Sequence, residues 1–206
     1  MFKKVREWGD VVREDIRVFQ LTHPRRGIFK YIYFPDFRAL LLFRLSQLCH
    51  KWALTRPLAY FFTMLNDLVT GVWIGPKVTA GPGLSLGHPR GLMVNPGTRI
   101  GRNCSILNRV TIGGPNVTIG DNVSINSGAM IISNVRGKGR LTIGNNVLIG
   151  AGTVVVSDIP DNSVVVGVPG RVVKTIGQED SWLDFTIRYN EEKKAGGSPK
   201  GGIDNE

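Results

Sequence analysis

Apolar residues recur at two different spacings along the chain, and the change of spacing divides the sequence into regions. Residues 1–20 carry apolar side chains at nearly helical spacing with charges between them: Val5, Trp8, Val11, Val12, Ile16 and Phe19. Further apolar stretches begin at Phe37 and at Leu58, and proline and glycine separate the stretches. These patterns predict a helical front region over residues 1–70.

An aliphatic residue then returns every six positions through the middle of the chain. The series is Ile74, Ala80, Leu86; Val94, Ile100, Ile106, Ile112; Ile119, Ile125, Ile131; Ile143, Ile149 and Val155. A period of six fits neither a helix nor long alternating strands. It predicts a coil of short strands, three to a rung of 18 residues, and thirteen hexad starts disfavour an ordinary β-sandwich.

Glycine and three interruptions accompany this repeat. Glycine often follows the aliphatic residue, and we expect it there because it permits tight turns with unusual dihedral angles. The register slips by two at Leu92-Met93, by one near Pro115 and by six over Arg136–Thr142. Each slip predicts a bulge or an extruded loop.

Hexads such as IGDNVS, IGNNVL and IGAGTV resemble the bacterial hexapeptide-repeat acyltransferases, and the end of the coil, Val168-Pro169-Gly170-Arg171, is similar to that of the same family. The resemblance implies a mainly β fold, with a left-handed parallel β-helix of hexapeptide repeats over residues 71–177. It places an N-terminal α-helical region at 1–70, and we expect a partly disordered tail at 178–206. It also implies a homotrimer with active sites between neighbouring coils.

The segment Leu86-Gly87-His88-Pro89-Arg90-Gly91 is similar to the serine acetyltransferase branch of that family. The start of the second apolar stretch, Phe34-Pro35-Asp36-Phe37, resembles the same branch more loosely. The branch implies acetyl-CoA as co-substrate and His88 as the general base that takes a proton from the acceptor hydroxyl. A neutral imidazole near pH 7 suits that step. His23 and His50 lie in no motif, and we interpret them as structural.

Two departures from the branch bear on the acceptor. Trp73 stands where those enzymes carry a carboxylate fifteen residues before the histidine, and the step Ile112-Gly113-Gly114 continues without their long histidine-bearing loop. A serine pocket is therefore not expected, and we predict O-acetylation of a sugar hydroxyl in cell-surface polysaccharide synthesis, on a small-molecule or lipid-linked acceptor. The alternatives are serine O-acetylation in cysteine biosynthesis and a non-catalytic trimeric scaffold, which Trp73 favours. The insertion Arg136–Arg140 is either a basic loop over the cleft or a solvated hairpin.

The resemblance also assigns cofactor and acceptor positions. It places pantetheine near Ser127, Ala151, Val156 and Ser157, and the nucleotide phosphates near Arg171 and Lys174, while Asn95 and Asn108 are candidate acceptor-binding residues. Small side chains allow close approach and cations suit phosphates. The alternative for Ser127 and Ala151 is packing of small residues, and the alternative for Arg171 and Lys174 is solvated surface charge. A metal is not expected, since the coil holds only one histidine, His88.

Charge and cysteine content restrict the partners and the cellular location that the sequence predicts. The net charge is +10, and residues 1–72 contribute twelve basic and six acidic groups, a balance of +6. The basic residues are scattered without aromatic partners, so nucleic-acid binding is not expected. Two cysteines and a charged N-terminus without an apolar core favour a cytoplasmic protein. The apolar stretch 37–69 is interrupted by charges, so it predicts packed helices or, alternatively, peripheral contact with an anionic membrane.

Overall fold

The computed structural model describes residues 2–23, 33–133, 139–177 and 180–194. The described residues form four helices: α1 (Phe2–Thr22), α2 (Pro35–His50), α3 (Arg56–Thr70) and α4 (Trp182–Lys194). The first three match the apolar stretches of the front region. The fourth lies in the tail, where the sequence pattern did not assign a helix. Its Trp182 donates from Nε1 to the carbonyl of Asn103, so α4 docks on the coil.

Fifteen short strands in the described residues wind into three sheets. Sheet A contains β1 (Trp73–Ile74), β4 (Met93–Val94), β7 (Thr111–Gly113), β10 (Met130–Ile132) and β13 (Val154–Val155). Sheet B contains β2 (Thr79–Ala80), β5 (Arg99–Ile100), β8 (Val117–Ile119) and β11 (Leu141–Ile143). Sheet C contains β3 (Ser85–Gly87), β6 (Ser105–Leu107), β9 (Ser124–Ile125), β12 (Leu148–Ile149), β14 (Ser163–Val166) and β15 (Arg171–Thr175).

Each strand pairs in parallel with the strand one rung away, except that β15 runs antiparallel to β14. We call the turns that follow the strands of sheets A, B and C the AB edge, the BC edge and the CA edge. The chain thus forms a three-sided parallel β-helix, as the six-residue period predicts. The aliphatic residues of the hexads point inward and stack, and Ile106, Ile125 and Ile149 are fully buried on successive rungs.

The rungs differ in length where the sequence register slips. Along sheet A, Trp73 pairs with Met93, Met93 with Thr111, Thr111 with Met130, and Met130 with Val154. The extra residues leave the coil at the turns, so the strands keep their register. The first slip falls on the CA edge after β3, and the second on the AB edge after β7. Most of the basic insertion Arg136–Arg140 lies outside the described residues.

The hexad glycines have a different purpose from the one predicted. Those that follow the aliphatic residue, such as Gly81 and Gly120, do not adopt a positive φ. A Cβ on Gly81 would lie 2.8 Å from the carbonyl oxygen of Gly101, and one on Gly120 would lie 2.7 Å from Gly144. The expectation of unusual dihedral angles is therefore wrong at these positions. Glycine is needed because consecutive rungs bring their backbones too close for any side chain.

At four turns of the BC edge, asparagine adopts the left-handed conformation. Asn103, Asn122, Asn146 and Asn162 all have φ between 51° and 58°. Beside them, side-chain oxygens accept backbone amides of the preceding rung: Asp121 from Arg102 at 2.7 Å, Asn145 from Asp121 at 2.8 Å, and Asp161 from Asn145 at 2.7 Å. We call this series the edge ladder. It satisfies backbone donors that the turns would otherwise leave without a partner.

The helices cover the first rung of the coil through one buried ion pair. Arg44 of α2 donates from Nε to Asp15 of α1 at 2.7 Å, and both side chains are 2% exposed. Arg44 also donates to the carbonyls of Ala80 and Gly81, at 2.8 and 2.6 Å. Asp15 accepts the backbone amides of Gly83 and Leu84. Two helices and the coil therefore meet at one fully hydrogen-bonded pair of charges.

Replacing Asp15 with alanine should strongly destabilise the protein. The Asp15→Ala variant leaves a buried guanidinium without its partner and two amides without an acceptor, so we expect the free energy of unfolding to fall by about 3–5 kcal/mol. Urea denaturation followed by circular dichroism measures the change. Asp10→Ala on the same helix is the control, because the Asp10–Arg13 pair is exposed and should contribute at most about 1 kcal/mol. Equal losses in both variants would contradict the assigned importance of the buried pair.

Candidate active site

His88 lies in an enlarged turn of the CA edge. Five residues, 88–92, connect β3 to β4, whereas three residues, 108–110, connect β6 to β7 one rung later. The enlarged turn closes through a bond from the Arg90 amide to the His88 carbonyl at 2.8 Å. His88 itself is exposed and has a φ of 48°. The two-residue slip thus places the imidazole outside the stacked column of the coil, where it is accessible.

Asp36 holds this turn from the helical region. Its Oδ1 accepts the backbone N–H of His88 at 3.1 Å, and the residue is 3% exposed in the first turn of α2. A left-handed φ is unfavourable for a residue with a side chain, so a fixed acceptor for its N–H stabilises the conformation. Sequence reasoning missed this residue, because 52 positions separate it from His88. The segment Phe34-Pro35-Asp36 was its only signal.

Three further predicted residues follow His88 along the CA edge. Asn108, Ser127 and Ala151 each lie in the turn that follows a strand of sheet C, one or two residues after the strand ends, on three successive rungs. The Ser127 hydroxyl donates to Oδ1 of Asn108 at 2.6 Å, and the Gly152 amide donates to the Ser127 carbonyl at 2.9 Å. At a strand spacing of about 4.8 Å, the row from His88 to Ala151 is about 14 Å long. The structure brings these four predicted residues together.

The other predicted residues lie elsewhere on the coil. Asn95, Val156 and Ser157 follow strands of sheet A and therefore occupy the AB edge, across sheet A from His88. Arg171 and Lys174 are exposed on β15. Arg171 pairs with Val166, at the CA end of β14, whereas Lys174 pairs with Val164 and is farther from that edge. Within one chain most of the predicted residues thus form two groups on neighbouring edges, and Lys174 lies outside both.

Two arginines of the CA edge were not among the predicted site residues. Arg90 and Arg109 are both exposed, and the Arg109 amide donates to the Arg90 carbonyl at 3.1 Å. The two residues occupy consecutive rungs beside His88. Scattered arginines on a basic chain give no sequence signal, so only the stacking of the rungs reveals that these two share an edge. Together they give the histidine turn a positive surface.

The sequence also raises Trp73, Cys104 and the metal-ligating residue types as candidate parts of a site. Trp73 is the first residue of β1 and lies on sheet A, half-buried, in register with Met93. Burial raises the pKa of the Cys104 thiol to about 12, so this side chain stays protonated and is a poor nucleophile. Within residues that the structure describes, no cluster of three or more histidine, cysteine or acidic side chains could hold a metal ion. His88 therefore remains the candidate base on the CA edge.

Known proteins share both the sequence and the fold of this chain. A serine acetyltransferase from Synechococcus elongatus is 32% identical over 181 residues, which cover 84% of this chain and 71% of that protein. The crystal structure of Neisseria gonorrhoeae serine acetyltransferase in complex with serine is 32% identical, with a TM-score of 0.73 and coverage of 82% of this chain and 70% of that one. Brucella abortus serine acetyltransferase in complex with coenzyme A is 28% identical, with a TM-score of 0.72 and coverage of 84% and 70%. No family model matches the chain.

The coil and the histidine turn, together with these similarities, define a left-handed β-helix acyltransferase, so the predicted fold is confirmed. The expectation of an acetyl-CoA-dependent acyltransferase is confirmed as well. More particularly, the chain belongs to the serine acetyltransferase family.

The expected acceptor, in contrast, is wrong. A sugar hydroxyl of polysaccharide synthesis was inferred from Trp73 and from the missing histidine loop, but the relatives along most of the chain are serine acetyltransferases, and one solved relative contains serine. The similarity extends over 181 residues, whereas Trp73 and the missing loop are two local departures. The turn that carries His88 is held by Asp36 of a helix, at a distance of 52 positions in the sequence. Single positions in the repeat therefore do not decide the acceptor.

Replacing Asp36 should show whether this residue positions His88 or only stabilises the fold. Asp36→Ala removes the acceptor of the His88 N–H, and a hydrogen bond to a charged group is worth about 1.5–3 kcal/mol, so we expect kcat for acetyl transfer to fall about tenfold or more. Asp36→Asn keeps an oxygen that can accept the same N–H and should retain most of the rate. Thiol release and thermal melting measure activity and folding in parallel. Full activity of a folded Asp36→Ala protein would contradict the positioning role.

Proposed function

We propose that the protein is a serine O-acetyltransferase that transfers the acetyl group of acetyl-CoA to the hydroxyl of L-serine. The observation that carries the proposal is the placement of an exposed His88 at the head of the CA edge, in a chain that belongs to the serine acetyltransferase family. Acetyl-CoA and serine are metabolites of the cytoplasm, and the proposed location is therefore cytoplasmic.

His88 acts as general base in this proposal. The neutral imidazole removes the proton of the serine hydroxyl while the hydroxyl oxygen attacks the thioester carbonyl. The carbon–sulfur bond then breaks, and the departing thiolate of coenzyme A takes up the proton from the imidazolium. The side-chain oxygen of Asn108 accepts a hydrogen bond from the Ser127 hydroxyl. The N–H groups of the same amide can therefore donate to the acetyl oxygen or to the acceptor.

The remainder of the CA edge fits the pantetheine arm of coenzyme A. The row of Asn108, Ser127 and Ala151 combines small side chains with backbone groups, and Ala151 is exposed. Such a surface lets an extended amide-bearing arm approach the backbone closely. Arg171, beside the CA end of β14, suits a phosphate at the far end of the arm. Lys174 is farther along β15 and suits the same anionic end.

Arg90 and Arg109 suit the carboxylate of serine. Both guanidinium groups belong to the turns next to His88, and arginine binds carboxylates through paired hydrogen bonds. This chain lacks the histidine-bearing loop noted above, and the two arginines offer a different source of positive charge for the same acceptor. A sugar hydroxyl has no negative charge for them to bind.

Homotrimer formation would unite the two groups of predicted residues. The first residues of the sheet A strands form a largely apolar row on the outside of the coil, in which Met93 is 48% and Met130 42% exposed. We infer that a neighbouring copy packs beside this row. Its arrival would enclose a cleft at the CA edge and bring residues of a second chain to it, such as Asn95, Val156 and Ser157 of the AB edge.

The activity is tested by thiol release from acetyl-CoA in the presence of L-serine. We expect release well above hydrolysis with L-serine, but not with serinamide, which lacks the carboxylate. His88→Ala should lower kcat by about 10²-fold or more, because the proton no longer has a positioned acceptor. His50→Ala is the matched control, since His50 lies on α2 away from the CA edge. No release with L-serine, or an unchanged rate in His88→Ala, would refute the proposal.

The trimer is tested by light scattering on a size-exclusion column. Met93→Arg combined with Met130→Arg places two charges in the apolar row, and we expect dissociation to monomers together with loss of activity. Thr142→Arg is the control, because Thr142 is exposed on sheet B and the substitution should leave the trimer intact. A monomeric native protein, or a double variant that stays trimeric, would contradict this assembly.

A further inference from the structure

Helix α3 turns its polar side toward the protein. Its buried residues are Ala59, Thr63, Asn66 and Thr70, which recur at helical spacing. The hydroxyl groups of Thr63 and Ser46 lie 3.0 Å apart, and Asn66 donates from Nδ2 to the Ala39 carbonyl at 3.0 Å. The contact with α2 therefore consists of small side chains and satisfied hydrogen bonds. The usual arrangement of a surface helix is reversed.

The opposite side of α3 is apolar and faces outward. Its exposed fractions are high for such residues: Leu58 50%, Tyr60 51%, Phe61 49%, Met64 62%, Leu68 82% and Val69 43%. Leu54, in the turn before the helix, is 93% exposed and extends the same surface. We call these seven residues the α3 apolar face. Single exposed apolar residues are ordinary, but a contiguous set along one helix marks a surface that binds something.

Positive charge surrounds the start of this face. Lys51 and Arg56 are exposed on either side of Leu54, and Lys77 is exposed on the first rung of the coil. Burial lowers the pKa of His50, and Arg56 and then Lys77 lower it further, which shows that both cations act on the same region. Asp67 is the single acidic residue of α3. An apolar helix face bordered by cations is typical of a helix that lies in the headgroup region of a membrane.

We propose that the α3 apolar face binds peripherally to an anionic lipid bilayer. Leu58, Phe61 and Leu68 would enter the boundary between headgroups and acyl chains, while Lys51 and Arg56 contact lipid phosphates. A second copy of the chain is the weaker candidate, because it would bring the same cations against each other. Among the described residues, no helix has the length and hydropathy needed to cross a bilayer.

Vesicle sedimentation tests this proposal on the full-length protein. We expect binding to vesicles of phosphatidylcholine and phosphatidylglycerol in equal parts, and weak binding to phosphatidylcholine alone. Met64→Glu combined with Leu68→Glu should reduce binding at least tenfold, because both side chains are largely exposed and their replacement adds charge where the bilayer needs apolar surface. Met64→Gln with Leu68→Gln should also weaken binding, which separates the loss of apolar contact from the added negative charge.

Charge is tested with a matched pair of variants. Lys51→Gln with Arg56→Gln should weaken binding to the anionic vesicles, whereas Arg102→Gln with Arg140→Gln removes the same charge from exposed positions on the coil and should not. Equal weakening by both pairs would overturn the proposal, since it would show a general effect of net charge. It would also be overturned if the native protein ignores anionic vesicles while the Met64 and Leu68 variants change its oligomeric state. Serine acetylation is read separately, so failure here leaves the proposed activity untouched.

Discussion

The register between rungs is the constraint on which the coil depends. Each strand has two to five residues, and its backbone groups must pair with the rung before and the rung after. An extra residue inside a strand would break both sets of bonds, so additional residues can leave the coil only at the turns. The enlarged turn at His88 is one such departure. A repetitive scaffold thereby restricts chemical variation to its edges, where the side chains of successive rungs form a row.

The ends of the coil need different solutions, because a terminal rung has a neighbour on one side only. At the first rung, Arg44 donates to the carbonyls of Ala80 and Gly81 while Asp15 accepts two amides. Charged groups satisfy backbone polarity there without a further strand. Helices α1 and α2 are thus fixed to the coil, and α2 brings Asp36 to the histidine turn. The cap that completes the fold also positions the site.

The features that could be predicted from the sequence are those that depend on a repeating pattern. The six-residue period predicted the strands and the slips at Leu92-Met93 and Pro115, and the motif around Leu86 gave His88 as the candidate base. It did not reveal why glycine follows the aliphatic residues, since Gly81 and Gly120 are required by the distance between rungs, which is a tertiary quantity. Asp36, Arg90 and Arg109 were missed for a related reason: contacts over 52 positions, or between stacked turns, leave no local pattern. The prediction of a sugar acceptor was wrong because it depended on local features, Trp73 and the missing histidine-bearing loop.

The edge ladder gives the coil a direction. Asp121, Asn145 and Asp161 each accept an amide from the rung before, so at these three turns a rung is closed by its successor. Loss of the last acceptor therefore exposes an amide one rung back, and fraying would advance from the C-terminal end toward the helices. The histidine turn lies at the opposite end of the coil, beside the helical cap, so it is the part of the CA edge farthest from the place where such fraying begins.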